Sequence, residues 1–187
     1  MGLRVYGNRP LKTLPGQTTR PTPARVREAV FNIWQGAIAQ CRWLDLCSGI
    51  GAMGAEALGR GASEVVGIEQ SGRACAVIAE NWKRIAAPDQ TVRVIRGNVM
   101  QKLPTLAGQR FDRIYFDPPY ASDLYLPVLQ AIAQHHLLAP DGELAVEHEP
   151  HRWAAAEWQH LLTQAQPLKP SRTKVYGNTA VTFFQSP

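Results

Sequence analysis

Asp117-Pro118-Pro119-Tyr120 puts a carboxylate, two prolines and an aromatic ring in one short run. Neither proline carries a backbone N–H and both fix φ, so the pair ends any strand leading into it and holds a rigid turn. The Asp117 carboxylate and the Pro118 carbonyl are then acceptors, with no proline N–H competing for the group they grip. Such a pair suits an amine on a planar ring. Its nitrogen is a poor nucleophile because the lone pair is delocalised, and acceptors on its hydrogens draw it toward tetrahedral geometry. Tyr120 is expected to be free to offer a ring, a stacking contact worth about 1–3 kcal/mol per base in single-strand binders. A base held within a stack must flip out to reach such a site. In isolation the same four residues also read as a structural turn, so their setting decides.

That setting includes a second motif. Gly49-Ile50-Gly51-Ala52-Met53-Gly54 is a complete G-x-G-x-x-G between a short apolar run and a helical pattern. Its glycines allow a tight turn and close approach of a ligand to the backbone. Glu69 lies 18 residues beyond Gly51, placed to accept from ribose hydroxyls. The loop alone fits a dinucleotide or S-adenosylmethionine. Asp45, four residues before Gly49 and expected at the mouth of the loop, favours the second. A carboxylate there repels a pyrophosphate and attracts the ammonium and sulfonium of S-adenosylmethionine. Asn98 and Val99 follow the third strand, where an adenine edge is expected to lie.

The elements that must position these groups alternate. Strands are expected at 43–46, 65–69, 92–95, 111–116 and 142–147, with helices near 52–60, from Ser71 to about 86, from Ser122 to about 138, and near 153–164. An earlier helix starts at Thr22 and Pro23, a plausible N-cap and first position, and places Val26, Val30, Ile33 and Trp34 on one face. Near the end, Lys174–Tyr176 and Ala180–Phe184 flank Gly177-Asn178, a hairpin signal. Alternating βα units predict an α/β fold, a mostly parallel sheet with helices on both faces. With the C-terminal antiparallel hairpin this is the class I methyltransferase, Rossmann-like arrangement, expected as a single domain: residues 1–34 form a short N-terminal extension and helix, and 42–187 the core.

Composition sets bounds. With 187 residues, 45% hydrophobic and 19% charged, the chain should fold around a sizeable core. Its apolar runs are too short for a membrane span and no signal peptide is seen, so a soluble cytoplasmic protein is expected. Three cysteines without a Cys-x-x-Cys suggest neither a disulfide framework nor a metal site. Residues 1–34 hold six Lys/Arg against one acid, residues 35–150 ten against thirteen, and residues 151–187 four against one. Basic flanks around an acidic middle suit a polyanion held beside a catalytic core.

The chain also resembles a known family, the bacterial 16S rRNA guanine-N2 methyltransferases of the RsmD type. The likeness covers nearly the whole chain and is carried by Arg4-Val5-Tyr6-Gly7, Arg20-Pro21-Thr22, Arg25 to Asn32, Leu44 to Leu58 and the Asp117 motif. The arm departs from it, reading Gly7-Asn8-Arg9-Pro10-Leu11-Lys12-Thr13-Leu14 where the family is richer in glycine and arginine. The resemblance implies a seven-stranded sheet and methylation of guanine N2 in 16S rRNA by a monomer. The RNA would be presented naked, in the small ribosomal subunit or in an assembly intermediate. It implies S-adenosyl-L-methionine as cofactor, with Thr22 and Arg25 over the methionine end. Asp45, Ser48, Gly49 and Gly51 would line the methionine and ribose side. Glu69 and Gln70 would hold the ribose and Asn98-Val99 the adenine, leaving the target base to Asp117, Pro118, Pro119 and Tyr120. The alternatives are an adenine-N6 DNA methyltransferase, which shares D-P-P-Y; a dinucleotide-dependent oxidoreductase, which leaves D-P-P-Y unexplained; and a catalytically silent RNA-binding module.

Overall fold

A computed structural model describes residues 3–14 and 24–186. The arm forms a two-stranded ribbon, β1 (Arg4–Val5) and β2 (Arg9–Pro10), around a 3-10 turn at Tyr6–Asn8. It is fastened to the body by backbone donors: the Tyr6 N–H reaches the Glu56 carboxylate at 2.9 Å and the Lys12 N–H reaches Asn81 Oδ1 at 2.9 Å. Helix α1 (Ala24–Ile33) follows, burying Val26, Val30 and Phe31. Thr22 and Pro23, expected to open that helix, lie outside the described residues.

Five βα steps follow in chain order. They are β3 (Arg42–Leu46), α2 (Ala52–Gly59), β4 (Glu64–Glu69), α3 (Gly72–Ile85), β5 (Thr91–Arg96), α4 (Val99–Lys102), β6 (Phe111–Phe116), α5 (Tyr125–Gln134), β7 (Leu138–His148) and α6 (Ala155–Gln164), and then strands β8 (Lys169–Tyr176) and β9 (Thr179–Gln185). The seven-stranded sheet has the order β5-β4-β3-β6-β7-β9-β8. β5 through β7 pair in parallel, and β9 runs antiparallel to both β7 and β8. The expected hairpin is present, with Gly177 at a φ of 65° in its turn, a backbone state that glycine adopts without penalty.

Strand periodicity divides the core in two. Trp43, Tyr115, Ala145 and Phe183 face the layer of α1, α2 and α3, where Trp34, Trp43 and Trp82 are fully buried. Leu44, Leu46, Phe116, Val146 and Phe184 face the layer of α4, α5 and α6. Asp45 shares the parity of Trp43, so it points toward α2.

Ser71 caps α3 as expected, its side chain accepting the Ala74 N–H at 3.3 Å. Ser122 does not cap α5. That helix begins at Tyr125 behind Leu124, which makes no side-chain cap bond, and it ends at Gln134 rather than near 138. The Ser122 N–H instead closes a turn on the Pro119 carbonyl at 2.8 Å, which carries the loop three residues further. Pro127, tolerated only in the first turn of a helix, marks the true start. His136 at a φ of 50° ends the segment and lets β7 begin at Leu138.

Candidate active site

Strand order reverses between β3 and β6, and open α/β sheets bind ligands at the carboxyl ends of the strands beside such a switch point. The two sequence motifs leave those two strands. They meet directly, because the Asp117 N–H extends the ladder to the Leu46 carbonyl at 3.3 Å. Over them lies a cavity of about 540 Å³, within the range of small-molecule sites. It gathers Gly49, Glu69, Gln70, Asn98, Val99, Asp117, Pro118, Pro119 and Tyr120, nine of the fourteen expected site residues.

Four of the other five are placed elsewhere. Asp45 lies beneath the loop, not at its mouth. It is 2% exposed, and its Oδ2 accepts the Gly54 N–H in the first turn of α2 at 3.1 Å. Burial pushes its carboxyl up to about 7, opposed by the Gly54 hydrogen bond and helped by the charge of Glu69. Ser48 donates to the Asp45 carbonyl at 2.7 Å and so braces the loop from inside. Gly51, at a φ of 76°, receives the Trp82 indole N–H on its carbonyl at 2.8 Å; a Cβ there would stand 2.7 Å from that nitrogen. Arg25 is exposed on the first turn of α1 and is not among the cavity-lining residues. The fifth, Thr22, lies outside the described residues.

On the loop side the cavity wall is pre-set by backbone donors. The Gly49 N–H reaches Glu69 Oε2 at 3.0 Å and the Ser71 N–H reaches Oε1 at 2.8 Å, so the carboxylate of Glu69 is fixed at the end of β4. Gly49 itself, at a φ of 57°, has nothing within 4 Å of where a Cβ would stand. Asn98 caps α4 through its Oδ1, which accepts the Met100 N–H at 2.9 Å. Cys47 also lines the cavity, but burial first, then the charges of Glu69, Asp117 and Asp45, push its thiol up to about 12. It therefore stays protonated and is no nucleophile.

On the other side Tyr120 is not free. Its hydroxyl donates to Glu147 Oε1 at 2.7 Å and lies 3.0 Å from Thr179 Oγ1, at the start of β9. Glu147 Oε2 accepts the hydroxyl of the fully buried Tyr115 at 2.5 Å. Burial raises the hydroxyls of both tyrosines far above their ordinary range. The Arg152 guanidinium bonds the Tyr120 carbonyl and, at 2.8 Å, the Ser122 carbonyl, clamping the loop that follows the motif. Glu147, Thr179 and Arg152 escape motif reading.

Three carboxylates, Glu69, Asp117 and Glu147, line the cavity, and no Lys, Arg or His does so among the described residues. Such a wall disfavours a pyrophosphate and suits a ligand rich in donors or positive charge.

Strand order, terminal hairpin and cavity position together define the class I fold of S-adenosylmethionine-dependent methyltransferases. Within that class the chain belongs to the family described as conserved hypothetical protein 95, which matches residues 3–185. It is 31% identical over 140 residues to the ribosomal RNA small subunit methyltransferase D of Escherichia coli, covering 75% of this chain and 68% of that one. It is 28% identical to YlbH of Bacillus subtilis, covering 95% of this chain and 93% of the relative. The solved structure of Escherichia coli yhhF superposes with a TM-score of 0.81 at 27% identity, covering 98% of this chain and 97% of that chain.

Proposed function

We propose that this protein transfers a methyl group from S-adenosylmethionine to the exocyclic N2 amine of a guanine in small-subunit ribosomal RNA. The observation that carries the reading is the juxtaposition of the glycine loop and Asp117-Pro118-Pro119-Tyr120 around one acidic cavity at the switch point. The relationship to a small-subunit rRNA methyltransferase supports the RNA substrate.

The residues present fit the cofactor. Gly49 opens onto space that a side chain would fill, and the acids supply acceptors for ribose hydroxyls and an ammonium. In this reading Glu69 and Gln70 hold the ribose, and Asn98 with the backbone of Val99 holds the adenine. Gly49 borders the methionine portion. Asp45, Ser48 and Gly51 act from beneath by fixing the loop. When bound, the cofactor supplies an electrophilic methyl group on sulfur.

The chain's own residues prepare the amine. The Asp117 carboxylate and the Pro118 carbonyl accept its two hydrogens and localise the nitrogen lone pair. Pro119 stiffens the turn, so the acceptors need no reorganisation. Tyr120, pinned through its hydroxyl, presents a fixed ring to the flipped base, and positioning of the two reactants contributes much of the rate. As the N–C bond forms, Asp117 accepts the proton that nitrogen releases.

Incubation of the pure protein with methyl-labelled cofactor tests this. Label should enter 16S rRNA or small subunits from a strain lacking the activity, and duplex DNA should stay unlabelled. Equal labelling of duplex DNA would favour the adenine-N6 alternative, and no labelling of rRNA in either form would reject the proposal.

A further inference from the structure

The segment between β6 and α5 carries the target motif but has few ties of its own. The Ser122 N–H closes one turn on the Pro119 carbonyl at 2.8 Å, and α5 starts behind Leu124 with no side-chain cap bond. The buried Ser122 Oγ and Tyr125 hydroxyl make no hydrogen bond among the described residues. The segment is held from outside instead. Arg152, in the connection between β7 and α6, bonds the Tyr120 carbonyl and, at 2.8 Å, the Ser122 carbonyl.

The guanidinium is itself held in place. It lies over the rings of Tyr125 and Trp153, 5.2 and 5.3 Å from their centroids. Trp153 stacks on Trp158 at 4.9 Å, and both rings lie against His148. A planar cation with a fork of donors can rest on aromatic faces and reach two carbonyls at once, whereas a lysine ammonium is a point charge on a flexible stem. Asp123 draws on it little: that carboxylate is 4.0 Å away and fully exposed. The donors of Arg152 are thus given to the backbone that follows the motif.

We infer that Arg152 is a positioning residue for methyl transfer: by holding the Tyr120 and Ser122 carbonyls it fixes the turn that carries the Pro118 carbonyl and the Tyr120 ring. It acts through that turn, from a helix connection far along the chain. The inference rests on the methyltransfer reading proposed above. It accounts for an arginine seated on an aromatic wall beside a cavity that it does not line.

The experiment compares wild type, Arg152→Ala and Arg152→Lys on 16S rRNA or small subunits from a strain lacking the activity. Arg152→Ala should lower kcat by roughly 10–100-fold, since a misplacement of about 1 Å can cost about 10²-fold. KM for RNA, and S-adenosylhomocysteine affinity by calorimetry, should change by less than about threefold, as expected when only the reactive geometry is lost. Arg152→Lys keeps the charge but neither the fork nor the flat face, so its kcat should stay close to that of Arg152→Ala. The arginine side chain is 19% exposed, so added guanidinium should restore part of the kcat of Arg152→Ala, and ammonium at equal ionic strength should not. Should the alanine variant not fold, Arg152→Lys carries the same kcat and affinity comparison. Wild-type kcat in Arg152→Lys would overturn the inference, because charge alone would then suffice. A rise in KM alone with a shallower salt dependence would overturn it by making Arg152 an RNA contact. Loss of S-adenosylhomocysteine affinity in step with kcat would reduce Arg152 to a structural residue. In each of these cases the wild type is active and the methyltransfer reading stands. If the wild type labels no rRNA, that reading falls and takes this inference with it.

Discussion

The two walls of the cavity are held together over different reaches of chain. On the glycine-loop side the polar contacts span 9 residues for Gly54 to Asp45, 20 for Gly49 to Glu69, 31 for Trp82 to Gly51, and 2 for each of Ser71 to Glu69 and Met100 to Asn98. On the target side they span 27 residues from Tyr120 to Glu147, 32 from Tyr115 to Glu147, and 59 from Tyr120 to Thr179. The first wall is a local device, assembled when two consecutive βα units pair. The second exists only once β7 and β9 have taken their places beside β6. A binding loop of one common type is thus joined to a reactive pocket whose identity depends on the far end of the chain. Changes on the first wall should act on loop geometry and cofactor affinity, and changes on the second on turnover and on the choice of base.

The largest effect should come from the second wall. Asp117→Ala removes both an acceptor for the amine and the group that receives its proton. Methyl transfer should fall by about 10²–10⁴-fold, the usual range for a positioned acid or base, while S-adenosylhomocysteine binding measured by calorimetry changes far less. Loss of both together would erase the distinction between the walls.

The buried acid of the first wall should register in stability instead. Asp45 is held near 7 in the folded protein, well above the ordinary carboxylate range, mainly by burial. Its folded state therefore takes up a proton more readily than its unfolded state. The stability this gives is full below about pH 4 and is lost as pH rises through 7. Asp45→Asn keeps an acceptor for the Gly54 N–H and cannot ionise. Relative to wild type, it should gain stability between pH 4 and pH 8, on the order of a few kcal/mol by linkage. Denaturant melts at the two pH values check this; a difference that does not change with pH would show that the Asp45 carboxyl titrates normally.

Gly54→Ala tests the packing beneath the loop. Its Cβ would stand 2.4 Å from a ring carbon of the fully buried Trp82 and 2.9 Å from Val65. Overpacking of that kind costs about 1–3 kcal/mol, and the melting temperature should drop along with cofactor affinity. If affinity falls with no loss of stability, the glycine meets the ligand and not the tryptophan.

The smallest effect expected is that of Tyr120→Phe. The ring stays, but Glu147 and Thr179 lose its hydroxyl, at about 1–3 kcal/mol for a buried group left without its partner. Turnover should drop by roughly tenfold with KM for RNA little changed. A pure KM effect would mean that the hydroxyl contacts RNA and does not pin the ring.

What could be read from the sequence follows the same division. G-x-G-x-x-G, Glu69 and the Ser71 cap depend on neighbours in the chain, and the alternating βα pattern with its terminal hairpin is found as expected. The burial of Asp45 could have been read from the sequence: period-two alternation puts it on the face of Trp43, under α2, where its carboxyl accepts the Gly54 N–H. Ser122 was misassigned because a serine after a turn resembles a cap, while the Pro119 turn and Pro127 set the start of α5 further on. Glu147, Thr179 and Arg152 had no local signature. Their roles arise from strand order, which spacing along one chain does not encode.

The most direct test of the central claim is nucleoside mass spectrometry of small subunits, taken from a strain lacking the activity and treated with the pure protein and S-adenosylmethionine. The account predicts N2-methylguanosine in the 16S rRNA digest, absent when Asp117→Ala replaces the wild type. Methylation appearing on adenine N6, or N2-methylguanosine persisting with Asp117→Ala, would contradict it.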